Sequence, residues 1–202
     1  MAICTLLTFL LSAITVFGRN IPVQMRDLGT DVIRTSRKLS DLPPVDMGGA
    51  FSSGPSLGQL NFTQHRSHVD EENATLAKRT QITNTATLGA IECITPASGA
   101  TPDTDDCSRV CAAITGYTSP VMIGPLEIEE WSVGFCTLGV ANLQPCDTLD
   151  IDPLSLFASA CEHMNAQCVA NGYDAIVFSD PPPFAISLYG RPAAPPYQEQ
   201  PC

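Results

Sequence analysis

Eight of the nine cysteines in this 202-residue chain fall after residue 90: Cys93, Cys107, Cys111, Cys136, Cys146, Cys161, Cys168 and Cys202. An even set of thiols in one short region points to oxidation in pairs, up to four disulfides, and spacing alone leaves the pairing open. A zinc site would favour close C-x-x-C pairs with histidines nearby. Here only Cys107 and Cys111 lie close together, and His163 is the one histidine of this region. Any Ser-His-Asp catalysis would have to use His163, and no G-x-S-x-G accompanies it. At about 100° per residue it falls roughly 200° round a helix from Cys161, which turns it to solvent. Carboxylates abound at Glu127, Glu129, Glu130, Asp150 and Asp152, enough for a two-carboxylate hydrolase. Trp131, however, sits in a strand that needs it for core, and the region is short for a sugar cleft. His65 and His68 have a metal-like spacing inside a polar stretch with no sign of folding. No catalytic residue, metal or cofactor is therefore expected.

Charge divides the chain. From Thr80 onward two basic residues, Arg109 and Arg191, face fourteen acidic ones, a balance of −12, while residues 1–79 balance at +1 and the total is −11. Such a domain is repelled by nucleic acid and by anionic membrane surfaces. Its partners should be neutral or cationic.

The N-terminal run from Ala2 to Phe17 is uncharged and apolar. It has the length of a signal-peptide core and is short of the ~20 residues of a membrane span. Val16 and Gly18 supply the small residues that signal peptidase requires, placing a cut between Gly18 and Arg19. No other segment is apolar enough to span a membrane. Residues 19–79 are polar, with Gly, Ser and Pro clustered over 43–58, no cysteine and no sustained period, which predicts disorder. The segment ends at Lys78-Arg79, the dibasic step that kexin-type proteases cut after, and it carries both glycosylation sequons, at Asn61 and Asn73. The expected organisation is a signal peptide (1–18), a disordered pro-region (19–79) and a mature disulfide-rich domain (80–202) released to the extracellular space.

The elements that must position the cysteines follow strand, helix, strand, strand, helix, strand. Leu88–Ile94 reads as the first strand. Asp103 caps a helix in which Cys107, Val110, Cys111 and Ile114 follow the 3.6-residue period, and Gly116 stops it. Trp131, Val133 and Phe135 alternate with Ser132, Gly134 and Cys136, predicting one half-buried strand running to about Val140. Thr148–Ile151 suggests a short strand. Asp152 and Pro153 open a second helix whose buried face carries Leu154, Phe157, Cys161, Met164 and Cys168, closed by Asn171-Gly172. Asp174–Ser179 and Phe184–Tyr189 are strands broken by Pro181-Pro182-Pro183. The expected fold is an α+β two-layer sandwich, two helices on a mostly antiparallel, disulfide-stapled sheet.

Signal, polar pro-region, Lys-Arg step and a cysteine-stapled β-α-β-β-α-β domain together resemble the killer toxins of smut fungi and the secreted effectors of plant-pathogenic fungi that share their fold. The residues carrying the likeness are Ile91-Glu-Cys93, the helix Asp106-Cys-Ser-Arg-Val-Cys111, the strand Val133-Gly-Phe-Cys136, and Leu156-Phe-Ala-Ser-Ala-Cys161 with Cys168 beyond it. The resemblance implies a secreted, effector-like virulence protein that binds a host or extracellular target without catalysis. A killer or antimicrobial toxin against competing cells is the alternative, and a small secreted hydrolase is the second. Membrane-lytic proteins are usually cationic, so the acidity separates the first two. Hydrophobins are set apart by their adjacent Cys-Cys doublets, which this chain lacks.

Overall fold

The computed structural model describes residues 23–25, 32–61, 85–96, 100–190 and 192–198. Helix α1 (Thr104–Thr115) starts where the Asp103 carboxylate accepts the backbone N–H groups of Asp105 and Asp106, and it stops at Gly116. Its buried face is Cys107, Val110, Cys111 and Ile114, as the period predicts. Helix α2 (Ala158–Gln167) is entered differently from expectation. A 3-10 turn at Leu154–Phe157 precedes it, and no side chain caps either start. Asp152 is therefore not a cap: the N–H of Leu156 is satisfied by the Pro153 carbonyl instead. The face carrying Leu154, Phe157, Cys161, Met164 and Cys168 is fully buried, and Gly172, left-handed at φ 84°, turns the chain toward the next strand.

Four strands come from the N-terminal part: β1 (Val23–Met25), β2 (Val32–Lys38), β3 (Phe51–Ser53) and β4 (Gly58–Asn61). Eight follow: β5 (Thr85–Leu88), β6 (Ile91–Ile94), β7 (Val121–Ile123), β8 (Glu127–Val133), β9 (Cys136–Asn142), β10 (Leu149–Ile151), β11 (Asp174–Ser179) and β12 (Phe184–Tyr189). Ten of them form one antiparallel sheet in the order β1-β2-β8-β9-β12-β11-β5-β4, with β6 also on β11 and β3 on β6, while β7 pairs with β10. The expected strand Leu88–Ile94 is two strands parted at Gly89-Ala90, where the Gly89 N–H turns to the Phe178 carbonyl. The expected strand through Trp131 and Phe135 is the hairpin β8–β9, turning at Gly134 with φ 53°.

Alternation along the strands sorts side chains between two cores. Trp131, Leu138, Phe184, Ile186 and Val177 face the helices and pack with Phe157 and Met164. Ile94, Ile128, Ala141, Ile176 and Ala185 face the other way and are covered by Leu39, Leu42, Val45 and Met47, together with Ala194 and Tyr197. Every residue of β9 and β12 is buried, because both faces of the sheet centre are covered.

Residues 32–61 thus correct the expectation of a disordered pro-region. Strand β2 pairs with β8 from Ile33↔Ser132 to Lys38↔Glu127, β3 pairs with β6, and β4 pairs with β5. Composition failed here because the segment is polar where it is paired. Its charges are matched by carboxylates elsewhere in the chain, which a local reading of hydrophobicity does not register.

Three disulfides staple the helical side. Cys111–Cys161 joins α1 to α2, Cys107–Cys136 joins α1 to β9, and Cys93–Cys168 joins β6 to the end of α2. Cys146 is also disulfide-bonded, and Cys202 lies outside the described residues. Such bridges fit an oxidising, secretory or extracellular setting. Among the described residues no helix is long and apolar enough to cross a membrane.

Candidate functional site

Phe135, at the tip of the β8–β9 hairpin, is 74% exposed, the most exposed large apolar side chain among the described residues. Its backbone is held from three directions. The Phe135 N–H donates to Asp106 Oδ2 at 2.7 Å, and its carbonyl accepts the Asp103 N–H at 3.3 Å. The next residue, Cys136, is bridged to Cys107 on α1. Gly134 completes the clamp: its positive φ suits glycine, and a Cβ there would collide with the Asp106 carboxylate.

Asp106 is the buried anchor of this arrangement. The hydrogen bond from Phe135 holds its carboxyl below the usual carboxylate range, against the opposing effect of burial and with help from the Arg109 guanidinium one helical turn on. The anion therefore persists to low pH, and with it the strong charge-assisted bond that fixes the turn. Around the aromatic tip, Asp103 and Asp105 remain exposed. The result is an exposed ring on a fixed backbone, bonded to the acidic first turn of α1. Aromatic side chains of this kind dominate protein interfaces, since they bring large contact area at little entropic cost.

A second cluster lies on β8. Glu130 has no exposed surface, and it accepts from Thr35 Oγ1 at 3.0 Å and Tyr189 Oη at 2.7 Å while pairing with Arg37 Nε at 2.9 Å. Burial pushes the Tyr189 phenol well up, and Glu130 beside it adds to the rise, so the phenol stays a donor. On the opposite face of β8, Glu129 pairs with Arg34 Nε at 2.8 Å. Arg34 also reaches the Tyr117 hydroxyl and lies 5.8 Å from the Trp131 ring centroid. These carboxylates bind the sheet to β2, with their donors already committed.

His163 is exposed on α2, and its Nδ1 lies 2.7 Å from the Ser159 carbonyl of its own helix. Among the described residues no group of three or more His, Cys, Asp or Glu could hold a metal ion. Cys93, Cys107, Cys111, Cys136, Cys161 and Cys168 are brought together by the three bridges. Asn61 ends edge strand β4 with its side chain exposed. Gly18, Arg19, His65, His68, Asn73, Lys78 and Arg79 lie outside the described residues.

Sequence alternation predicts Phe135 on the inward face with Trp131 and Val133, and the structure puts it outward. The signal that finds it is Gly134 between two β-prone runs, the mark of a hairpin turn. Asp106 carried a readable sign as well, an acidic residue in the first turn of a capped helix, but its target was out of sequence reach. The chain matches no family model, no curated protein and no solved structure.

Proposed function

We propose that this chain is a secreted, effector-like virulence protein that acts by binding a host or extracellular target rather than by catalysis. The observation that carries this reading is the Phe135 turn: an exposed aromatic ring on a backbone fixed by Asp106, Asp103 and the Cys107–Cys136 bridge. The bonds that staple α1 to the hairpin also present this phenylalanine to solvent on a fixed backbone. The acidic first turn of α1 and the balance of −12 beyond Thr80 suit a neutral or cationic partner. Supporting the non-catalytic side, the buried carboxylates Asp106, Glu129 and Glu130 each spend their lone pairs on structural donors.

Quantitative binding of labelled secreted protein to host surfaces tests the reading. Saturable uptake that follows protein concentration, falls with added salt and is lost in Phe135→Ala is expected. Turnover of a host polymer, or leakage from lipid vesicles at the same concentrations, would favour a hydrolase or a lytic toxin instead.

A further inference from the structure

The segment expected to be discarded is wrapped around the domain it precedes. Strand β2 lies on one side of the sheet against β8, and β4 lies at the opposite end against β5. Between them, Leu39, Leu42, Val45 and Met47 cross the back of the sheet and close its second core. The Leu39 N–H bonds to the Leu126 carbonyl at 2.9 Å, the Leu57 N–H to Gly89 at 3.2 Å, and residues 43–45 exchange two backbone bonds with Ala194. Arg37 and Thr35 supply two of the three partners of the fully buried Glu130.

We propose that hydrolysis after Arg79 does not release this segment, and that the processed protein is a non-covalent pair of chains in which residues 32–61 serve as a permanent second subunit. Hydrolysis of the Arg79–Thr80 bond consumes one water and leaves a carboxylate on Arg79 and an amine on Thr80. No covalent link then remains, because residues 19–79 contain no cysteine. Departure of the segment would strip both edges of the sheet, uncover Ile128, Ile176 and Ala185, and take Arg37 and Thr35 away from Glu130. While the segment is in place Glu130 is buried and paired with Arg37, so removing Arg37 alone leaves a buried charge without its partner, which is strongly destabilising, and the segment is held by the carboxylates as well as by the apolar face.

The inference rests on the reading of Lys78-Arg79 as a processing step, and the two are tested separately in one experiment. Purified full-length protein is treated with a dibasic-specific protease, then examined by denaturing gel with N-terminal sequencing and, in parallel, by native mass spectrometry. Two fragments on the denaturing gel, the larger starting at Thr80, with a 1:1 complex under native conditions, is the expected result. Fragments that separate under native conditions, leaving a folded monomer from Thr80 onward, overturn retention. A bond that resists the protease overturns the processing reading on which the inference stands. In cleaved Arg37→Ala the complex should dissociate with a constant raised roughly a hundredfold, whereas Asp41→Ala, at an exposed position, should leave it unchanged. Equal retention in both variants would show that the Glu130 pair does not hold the segment.

Discussion

Across the β2–β8 pair, Arg37 Nε stands 2.9 Å from Oε2 of Glu130, a carboxylate with no exposed surface. An ion pair that joins an expected pro-region to the middle of the sheet makes the N-terminal segment part of the folding unit. Breaking a buried pair by removing one partner costs about 3–5 kcal/mol, and because Arg37 is one-third exposed we expect Arg37→Ala to lie near the low end, about 3 kcal/mol. Adding Glu130→Gln should recover part of that loss, since a neutral amide needs no counter-charge. Urea unfolding of the single and double variants measures both. Additive losses would contradict the pairing.

The clamp beneath Phe135 gives a second expectation. Asp106→Ala removes a charged acceptor from the Phe135 N–H, and hydrogen bonds to charged groups contribute about 1.5–3 kcal/mol. Gly134→Ala should cost a comparable amount, because a left-handed φ of 53° disfavours a side chain and the new Cβ meets the Asp106 carboxylate. In the double variant the losses should be less than additive, as both act on one contact. Thermal unfolding of the set provides the measurement.

Disulfide mapping supplies a third. Digestion under non-reducing conditions should yield the linked peptides Cys93–Cys168, Cys107–Cys136 and Cys111–Cys161. Cys146 is bonded as well, so it should resist alkylation until the protein is reduced. Cys161→Ser, which cuts the link between the two helices, should lower stability by roughly 2–5 kcal/mol. A free thiol at Cys146 in the native protein would contradict its bonded state.

Asp174 makes stability depend on pH in an unusual direction. Burial in a recess lined by Val45, Ile94, Ile176 and Pro195 pushes its carboxyl up to about 7, against the lowering effect of the Gly190 N–H that donates to it. In the unfolded chain it titrates near 3.8. Between those values the folded state holds the proton and the unfolded state does not, so this group's contribution is full below pH 3.8 and is lost as pH rises toward 7. Asp106 runs the other way, its contribution falling away below the ordinary carboxylate range. Melting temperature should therefore decline from mildly acidic to neutral pH. In Asp174→Asn, which keeps an acceptor for Gly190, that decline should flatten, and an unchanged slope would contradict the assignment.

Much of the helical side was legible because its signals are local. Asp103 caps α1 within three residues, and the apolar period of α2 brings Phe157, Cys161 and Met164 to one face. The rest depended on distant partners. Thr35 finds Glu130 across 95 residues of sequence, so the polar strand Val32–Lys38 carries no local mark of its place in the sheet. Phe135 was hidden for a different reason. The alternation of Trp131, Val133 and Phe135 continues unbroken through Gly134, and a period of two cannot distinguish a strand from a hairpin that turns on one glycine.

Activity per folded molecule in a host-response assay, with Phe135→Ala and His163→Ala compared against the native protein, tests the binding reading most directly. Both positions are exposed, so both variants should unfold within about 0.5 kcal/mol of the native protein. Circular dichroism verifies that their folds are equal before activity is compared. Phe135→Ala should lose most of the response and His163→Ala should retain it, because a contact surface is required and no proton transfer is. Full activity in Phe135→Ala together with its loss in a normally folded His163→Ala would contradict binding through the turn and place the function at the histidine.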